Sequence, residues 1–103
     1  MNLFHLLRQR AGNPVRVGII GAGKFGSMFL AQARRTVGLH VVGVADRYPE
    51  RAREALARVG WPTEQFAAPT LAAAAASDTT CVTDDADALV RTPELDVLIE
   101  ATG

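Results

Sequence analysis

The sequence predicts an α/β domain, a parallel sheet with helices on both of its faces. Three observations carry this. Short runs rich in Val, Ile and Leu alternate with helix-forming stretches along the 103 residues, the pattern of strand–helix–strand units. These runs lack the in/out alternation of a half-exposed sheet, as expected of strands covered on both sides. A glycine cluster, Gly21-Ala22-Gly23-Lys24-Phe25-Gly26, stands where the first run gives way to the first long helical pattern.

The elements follow in order. Leu3, Leu6, Leu7 and Arg10 sit at helical spacing, so residues 1–14 form a short amphipathic arm, ended by Gly12-Asn13-Pro14. This arm packs on its own domain or on a partner. Val15-Arg16-Val17-Gly18-Ile19-Ile20 is the first strand. A helix from Lys24 to Val37 puts Phe25, Met28, Phe29 and Ala33 on one face. Arg34 and Arg35 occupy its last turn, where cations suit the helix dipole, and Gly38 stops it. Leu39 to Ala45 is the second strand. Pro49 opens a second helix at a favoured early position, with Glu50, Glu54 and Arg58 on its outer face and Gly60 after it.

Trp61-Pro62 ends that helix, and Phe66-Ala67-Ala68-Pro69 reads as loop. Leu71 to Ala76 is a short Ala-rich helix, and Thr79 to Thr83 a short strand. Asp84 or Asp85 caps a helix through Leu89 and Val90. Pro93-Glu94-Leu95 turns the chain into a last strand, Asp96 to Ala101. A complete doubly wound domain has six strands in the order 3-2-1-4-5-6. Residues 15–103, with about four, are therefore expected to be the N-terminal part of such a domain, truncated after strand four.

Composition removes several function classes. Eleven Lys and Arg balance eleven Asp and Glu, so the basic excess of a nucleic-acid binder is missing. No run reaches the roughly 18 apolar residues of a membrane span, and the N-terminus lacks the charge order of a secretory signal. One cysteine, Cys81, and two histidines, His5 and His40, predict no internal disulfide and no metal site. A cytoplasmic protein is expected. Ten of the eleven basic residues are Arg and eighteen residues are Ala, a bias that carries no function. Cys81 reads as a small buried hydrophobe. Asp84, Asp85 and Asp87 read as a solvated helix start.

The chemistry lies in the glycine cluster. G-x-G-x-x-G between strand and helix gives Gly21 a tight turn, lets a pyrophosphate approach at Gly23, and lets helix and strand pack closely at Gly26. Ala22, Lys24 and Phe25 complete the loop, Lys24 either adding charge or pointing to solvent. The helix start offers free N–H groups and its positive dipole end to phosphate. Asp46 lies 20 residues beyond Gly26 at the end of strand two, the place of the carboxylate that bonds the adenosine ribose. It could instead cap the next helix. A carboxylate there repels a 2′-phosphate and favours NAD, whereas Arg47 beside it could stack on adenine or hold that phosphate, which keeps NADP open. Ala101, Thr102 and Gly103 leave the fourth strand where the nicotinamide ribose would pass.

Residues 17–26 (Val-Gly-Ile-Ile-Gly-Ala-Gly-Lys-Phe-Gly), 41–52 (Val-Val-Gly-Val-Ala-Asp-Arg-Tyr-Pro-Glu-Arg-Ala) and 96–103 (Asp-Val-Leu-Ile-Glu-Ala-Thr-Gly) resemble the Rossmann domain of NAD(P)-dependent oxidoreductases. Both the Gfo/Idh/MocA family and the homoserine dehydrogenase-like proteins share these features. The ending Glu100-Ala101-Thr102-Gly103, the stretch 24–32, the Leu-rich arm and the Ala-rich insert before Cys81 look most like homoserine dehydrogenase-like proteins with a C-terminal SAF domain. That subgroup includes reductoisomerase-like enzymes. The resemblance implies cofactor contacts at Gly21, Gly23, Gly26 and Asp46, and less directly at Arg47 and residues 101–103. It implies hydride transfer to or from a small hydroxy- or carbonyl-containing metabolite, by a homo-oligomeric parent of several hundred residues. Substrate and catalytic groups of such proteins lie beyond strand four, so no catalytic residue is assigned here and the segment alone is expected to be inactive. A non-catalytic dinucleotide sensor or regulatory module is the alternative, and a methyltransferase a more distant one.

Overall fold

The computed structural model describes residues 13–101; the arm expected at residues 1–14 falls almost wholly outside them. Four strands, β1 (Val15–Ile20), β2 (Leu39–Ala45), β3 (Cys81–Thr83) and β4 (Val97–Glu100), form one sheet in the order β3-β2-β1-β4, all neighbours parallel. Helices α1 (Lys24–Ala33), α2 (Pro49–Arg58), α3 (Leu71–Ser77) and α4 (Ala86–Val90) connect them, with a 3-10 turn at Thr63–Phe66. The α/β class, the strand order and the first two strand ranges agree with the sequence reading.

One face of the sheet is covered by α1 and α2. Ile19, Val41, Val44 and Val82 meet Leu30, Ala52 and Leu56 there, closed at one end by Trp61 and Phe66. Burying each such large side chain stabilises the fold by roughly 1.5–3 kcal/mol. The Trp61 indole satisfies its N–H by donating to the Leu30 carbonyl (3.0 Å). The other face is thinner: Val42, Ala74 and Cys81 pack with Leu71 and Leu95. Burial pushes the Cys81 thiol above its ordinary pKa, against a smaller opposing effect of the Arg53 charge. The expected result is slow alkylation of the native protein near pH about 8 and fast alkylation once it is denatured. Equal rates would place Cys81 outside the core.

Three departures from the sequence reading have physical causes. Helix α1 ends at Ala33 rather than Val37, so Arg34 and Arg35 are past its last turn. Past Ala33 the backbone tightens into turns, Arg35 N–H donating to Gln32 and Thr36 N–H to Ala33 (3.0 and 3.1 Å), while the Arg34 Nε donates to the Val59 carbonyl just after α2 (3.3 Å). Phe66, read as the start of a loop, instead ends the 3-10 turn from Thr63 and is buried. Strand β3 begins at Cys81 rather than Thr79, because the Thr80 N–H donates to the Gln65 carbonyl (2.8 Å) in that turn. Strand β4 is the edge of the sheet, and Val97 and Leu98 are 44% and 41% exposed there.

Register brings in a feature that periodicity does not show. Val17 pairs with Val41 but Gly18 pairs with Gly43, so Val42 is an extra residue in β2. The slip lets Val41 and Val44, three apart, face the same core. At the opposite edge of β1, the Asp96 carboxylate accepts from Arg16 N–H (2.8 Å) while Asp96 N–H donates to the Arg16 carbonyl (2.7 Å). This pair sets the β1–β4 register. The chain thus runs from β1 outward to β3 and crosses back to β4, which opens a crevice at the carboxyl ends of β1 and β4.

Candidate dinucleotide site

The glycine turn is shaped by two positions that cannot carry a side chain. Gly21 has φ +93°, the left-handed region. A Cβ on Gly26 would collide with the Gly21 carbonyl oxygen, so α1 rests directly on the backbone of the turn. Gly23 is the opposite case: a Cβ there would meet nothing within 4 Å. The empty space lies in front of α1, whose start at Gly23 no described side chain caps. Backbone N–H groups and open volume therefore coincide, which is what a pyrophosphate requires. The residues present fit a dinucleotide.

Asp46 holds this turn in place. Its Oδ2 accepts from the Ala22 N–H (2.9 Å) and its Oδ1 from the Tyr48 N–H (2.8 Å). One carboxylate thus ties the glycine turn to the entry of α2, a cap-like role combined with a place on the cleft wall. Each oxygen keeps a further lone pair for a ribose hydroxyl. Ser27, which the sequence reading did not single out, supports the same turn through Oγ donating to the Ala22 carbonyl (3.1 Å). The strand ends are knitted together by Gly21 N–H to Ala45 (2.7 Å) and Asp46 N–H to Thr83 (2.9 Å).

A cleft of about 370 Å³ opens over these strand ends, lined by Gly21, Asp46, Arg47, Tyr48, Arg51 and Asp84. Of the acidic trio read as a helix start, Asp85 caps α4 by accepting from Ala88 N–H (2.9 Å), Asp87 pairs with Arg91 (3.1 Å), and Asp84 faces the cleft. Ala101 lies at the crevice, its N–H donating to the Ile20 carbonyl (2.8 Å). Thr102, Gly103 and the side chains of Lys24 and Phe25 lie outside the described residues. Gly21, Ala22, Gly23, Gly26, Asp46, Arg47 and Ala101 are thus brought to one end of the sheet.

A second cavity, about 340 Å³, lies at the opposite end of the strands between Trp61, His40 and Asp78. Its polar groups are already used. His40 Nε2 is 2.7 Å from the Thr79 carbonyl, Thr80 Oγ1 donates to Val41 (2.6 Å), and Gln65 Nε2 donates to Asp78 (2.8 Å). His40 Nδ1 also lies 3.6 Å from the exposed Asp78 carboxylate, so the polar groups of this cavity pair with one another. Among the described residues no group of His, Cys, Asp and Glu could hold a metal, and no helix is long and apolar enough to cross a membrane.

The model of the oxidoreductase family with an NAD-binding Rossmann fold, Gfo/Idh/MocA, matches residues 15–102. The chain belongs to that family. Members are oxidoreductases, and the matched region spans the whole sheet, the glycine turn and Asp46. The NAD-binding fold of the family supports a nicotinamide cofactor for this chain. No curated protein is significantly similar to the chain.

Proposed function

We propose that this chain is the cofactor-binding segment of a homoserine dehydrogenase-like NAD(P)-dependent oxidoreductase that moves a hydride to or from a small hydroxy- or carbonyl-containing metabolite. The open space at Gly23, facing the uncapped start of α1, carries the reading. The cofactor, when bound, supplies the hydride acceptor or donor. The chain's own residues orient it: the glycine turn takes the pyrophosphate, Asp46 the adenosine ribose, and the β1–β4 crevice at Ala101 the nicotinamide ribose. Glu100-Ala101-Thr102-Gly103, the stretch 24–32 and the Ala-rich α3 support the narrower subgroup. The substrate and the catalytic acid or base are assigned to other parts of a homo-oligomeric parent enzyme.

Calorimetric titration of the full-length protein with NAD and NADP tests the reading. Saturable binding of at least one is expected, and none at millimolar concentration overturns it. Asp46→Ala is expected to weaken NAD binding by roughly 1–3 kcal/mol, since the ribose and the N–H groups of Ala22 and Tyr48 all lose their acceptor. Unchanged affinity with lowered thermal stability would reduce Asp46 to a tie between turn and helix.

A further inference from the structure

Charge is divided unevenly along the chain. Residues 1–58 hold ten of the eleven Lys and Arg but three of the eleven Asp and Glu, and residues 59–103 hold one and eight. The fold turns this division into two opposite faces. Helices α1 and α2 cover one side of the sheet, whereas Leu71 of α3 and Leu89 of α4 rest on Gly43 at the other. Between α1 and α2, two clefts that share Arg58 form a groove. The first, about 530 Å³, is lined by Ser27 and Met28 with Arg51, Glu54 and Arg58, and the second, about 470 Å³, by Gln32, Arg35 and again Arg58. Arg35, Arg51 and Arg58 are exposed, and among the described residues no ion pair holds them. Against them the described lining supplies a single carboxylate, Glu54. We propose that this basic groove receives the acidic α3–α4 face of a second copy of the chain, in a head-to-tail contact.

Complementary charge on the opposite face singles out this partner. That face carries Asp78 after α3, Asp85 and Asp87 at α4, and Glu94 beyond it, all exposed. Arg91 is the one basic residue after position 58, and Asp87 already pairs with it (3.1 Å), so the face stays negative. Each face also exposes one large apolar side chain, Met28 (63%) in the groove and Val90 (54%) on α4. An apolar centre within a charged rim is the usual anatomy of a protein interface. A polyanion would satisfy the groove but be repelled by the acidic face, whereas a second copy satisfies both. Because the two patches lie on opposite sides of the sheet, a two-fold axis cannot join them in one contact. Assembly therefore runs head to tail, into a ring or a filament. Arg51 alone of the groove arginines also lines the dinucleotide cleft, so the inference goes beyond the cofactor reading and does not rest on it.

Light scattering and sedimentation of the full-length protein test this. The reach of a surface charge falls from about 10 Å at about 0.1 M salt to about 3 Å at about 1 M. The weight-average mass is therefore expected to be at least about twofold higher in the lower salt and to rise with protein concentration. Arg35→Glu with Arg58→Glu brings the low-salt mass down to the high-salt value, and so does Asp78→Asn with Glu94→Lys. All four side chains are exposed, and Asn suits the left-handed backbone at Asp78 (φ +57°), so the fold survives these changes. Disulfide trapping reads the placement. With oxidised glutathione, an equimolar mixture of Met28→Cys and Val90→Cys links the two positions between copies much faster than either variant alone. A mass unmoved by salt overturns the proposal, as do charge variants that assemble like the parent. Trapping no faster in the mixture than in the single variants also overturns it. So does an oligonucleotide that binds the groove while the mass stays constant, which would give the groove to a polyanion.

Discussion

Gly26→Ala is expected to cost the domain about 3 kcal/mol of stability, while Gly23→Ala, three residues away, costs almost none and abolishes tight dinucleotide binding. The first substitution drives a Cβ into the Gly21 carbonyl oxygen, a backbone atom that moves only if the turn or α1 moves. Overpacking of that kind costs about 1–3 kcal/mol, and the upper end applies because the obstacle is backbone. At Gly23 the backbone has φ −72° and the added methyl enters open space. Alanine is therefore tolerated by the fold, but its methyl stands where a pyrophosphate must approach the N–H groups. Chemical denaturation of the full-length variants gives the stabilities, and titration with NAD and NADP gives the affinities. The pair should separate: one variant unstable, the other stable and at least about 10-fold weaker in binding. If Gly23→Ala binds as the parent does, the open space at that glycine is not the cofactor's path.

The contrast also shows where local sequence stops carrying information. Strands β1 and β2 were legible because apolar β-branched runs with glycine at their ends leave little freedom in length. The end of α1 was not legible. Apolar and charged residues keep helical spacing to Val37, yet beyond Ala33 the backbone tightens into turns, with the Arg35 and Thr36 N–H groups bonding three residues back. The start of β3 was not legible either, because a turn at Thr63–Phe66 takes the Thr80 N–H. The slip at Val42 follows from a packing need, Val41 and Val44 on one face, that no strand pattern announces. At the site, the position of Asp46 was legible from its distance to the glycine turn, but its two N–H partners were not. Tyr48 and Arg51 stand in the stretch 41–52 but gain no role from it, because they resemble the start of any amphipathic helix. Their separation by three residues, an aromatic followed by a cation, was the available signal.

On the thinner face of the sheet, Leu89→Ala is expected to be the most damaging single truncation, and its cost to add less than fully to that of Gly43→Ala. Leu89 is fully buried against a floor made of two glycines paired in register, Gly18 of β1 and Gly43 of β2. A Cβ at Gly43 would stand 2.6 Å from the tips of both Leu71 and Leu89, and one at Gly18 would stand 2.9 Å from Leu89. The glycines are thus the hollow into which the leucine side chain fits. Truncating it leaves a void beneath short helix α4 at a cost of about 2–5 kcal/mol. Filling the hollow by Gly43→Ala alone overpacks it by about 1–3 kcal/mol. In the double variant the new methyl occupies part of the volume that the leucine vacated, while its clash with Leu71 remains. The combined loss should therefore fall short of the sum of the single losses by about 1 kcal/mol, the coupling typical of residues in contact. Urea unfolding of the three full-length variants measures it. Strict additivity would mean that Leu89 and Gly43 do not share this space.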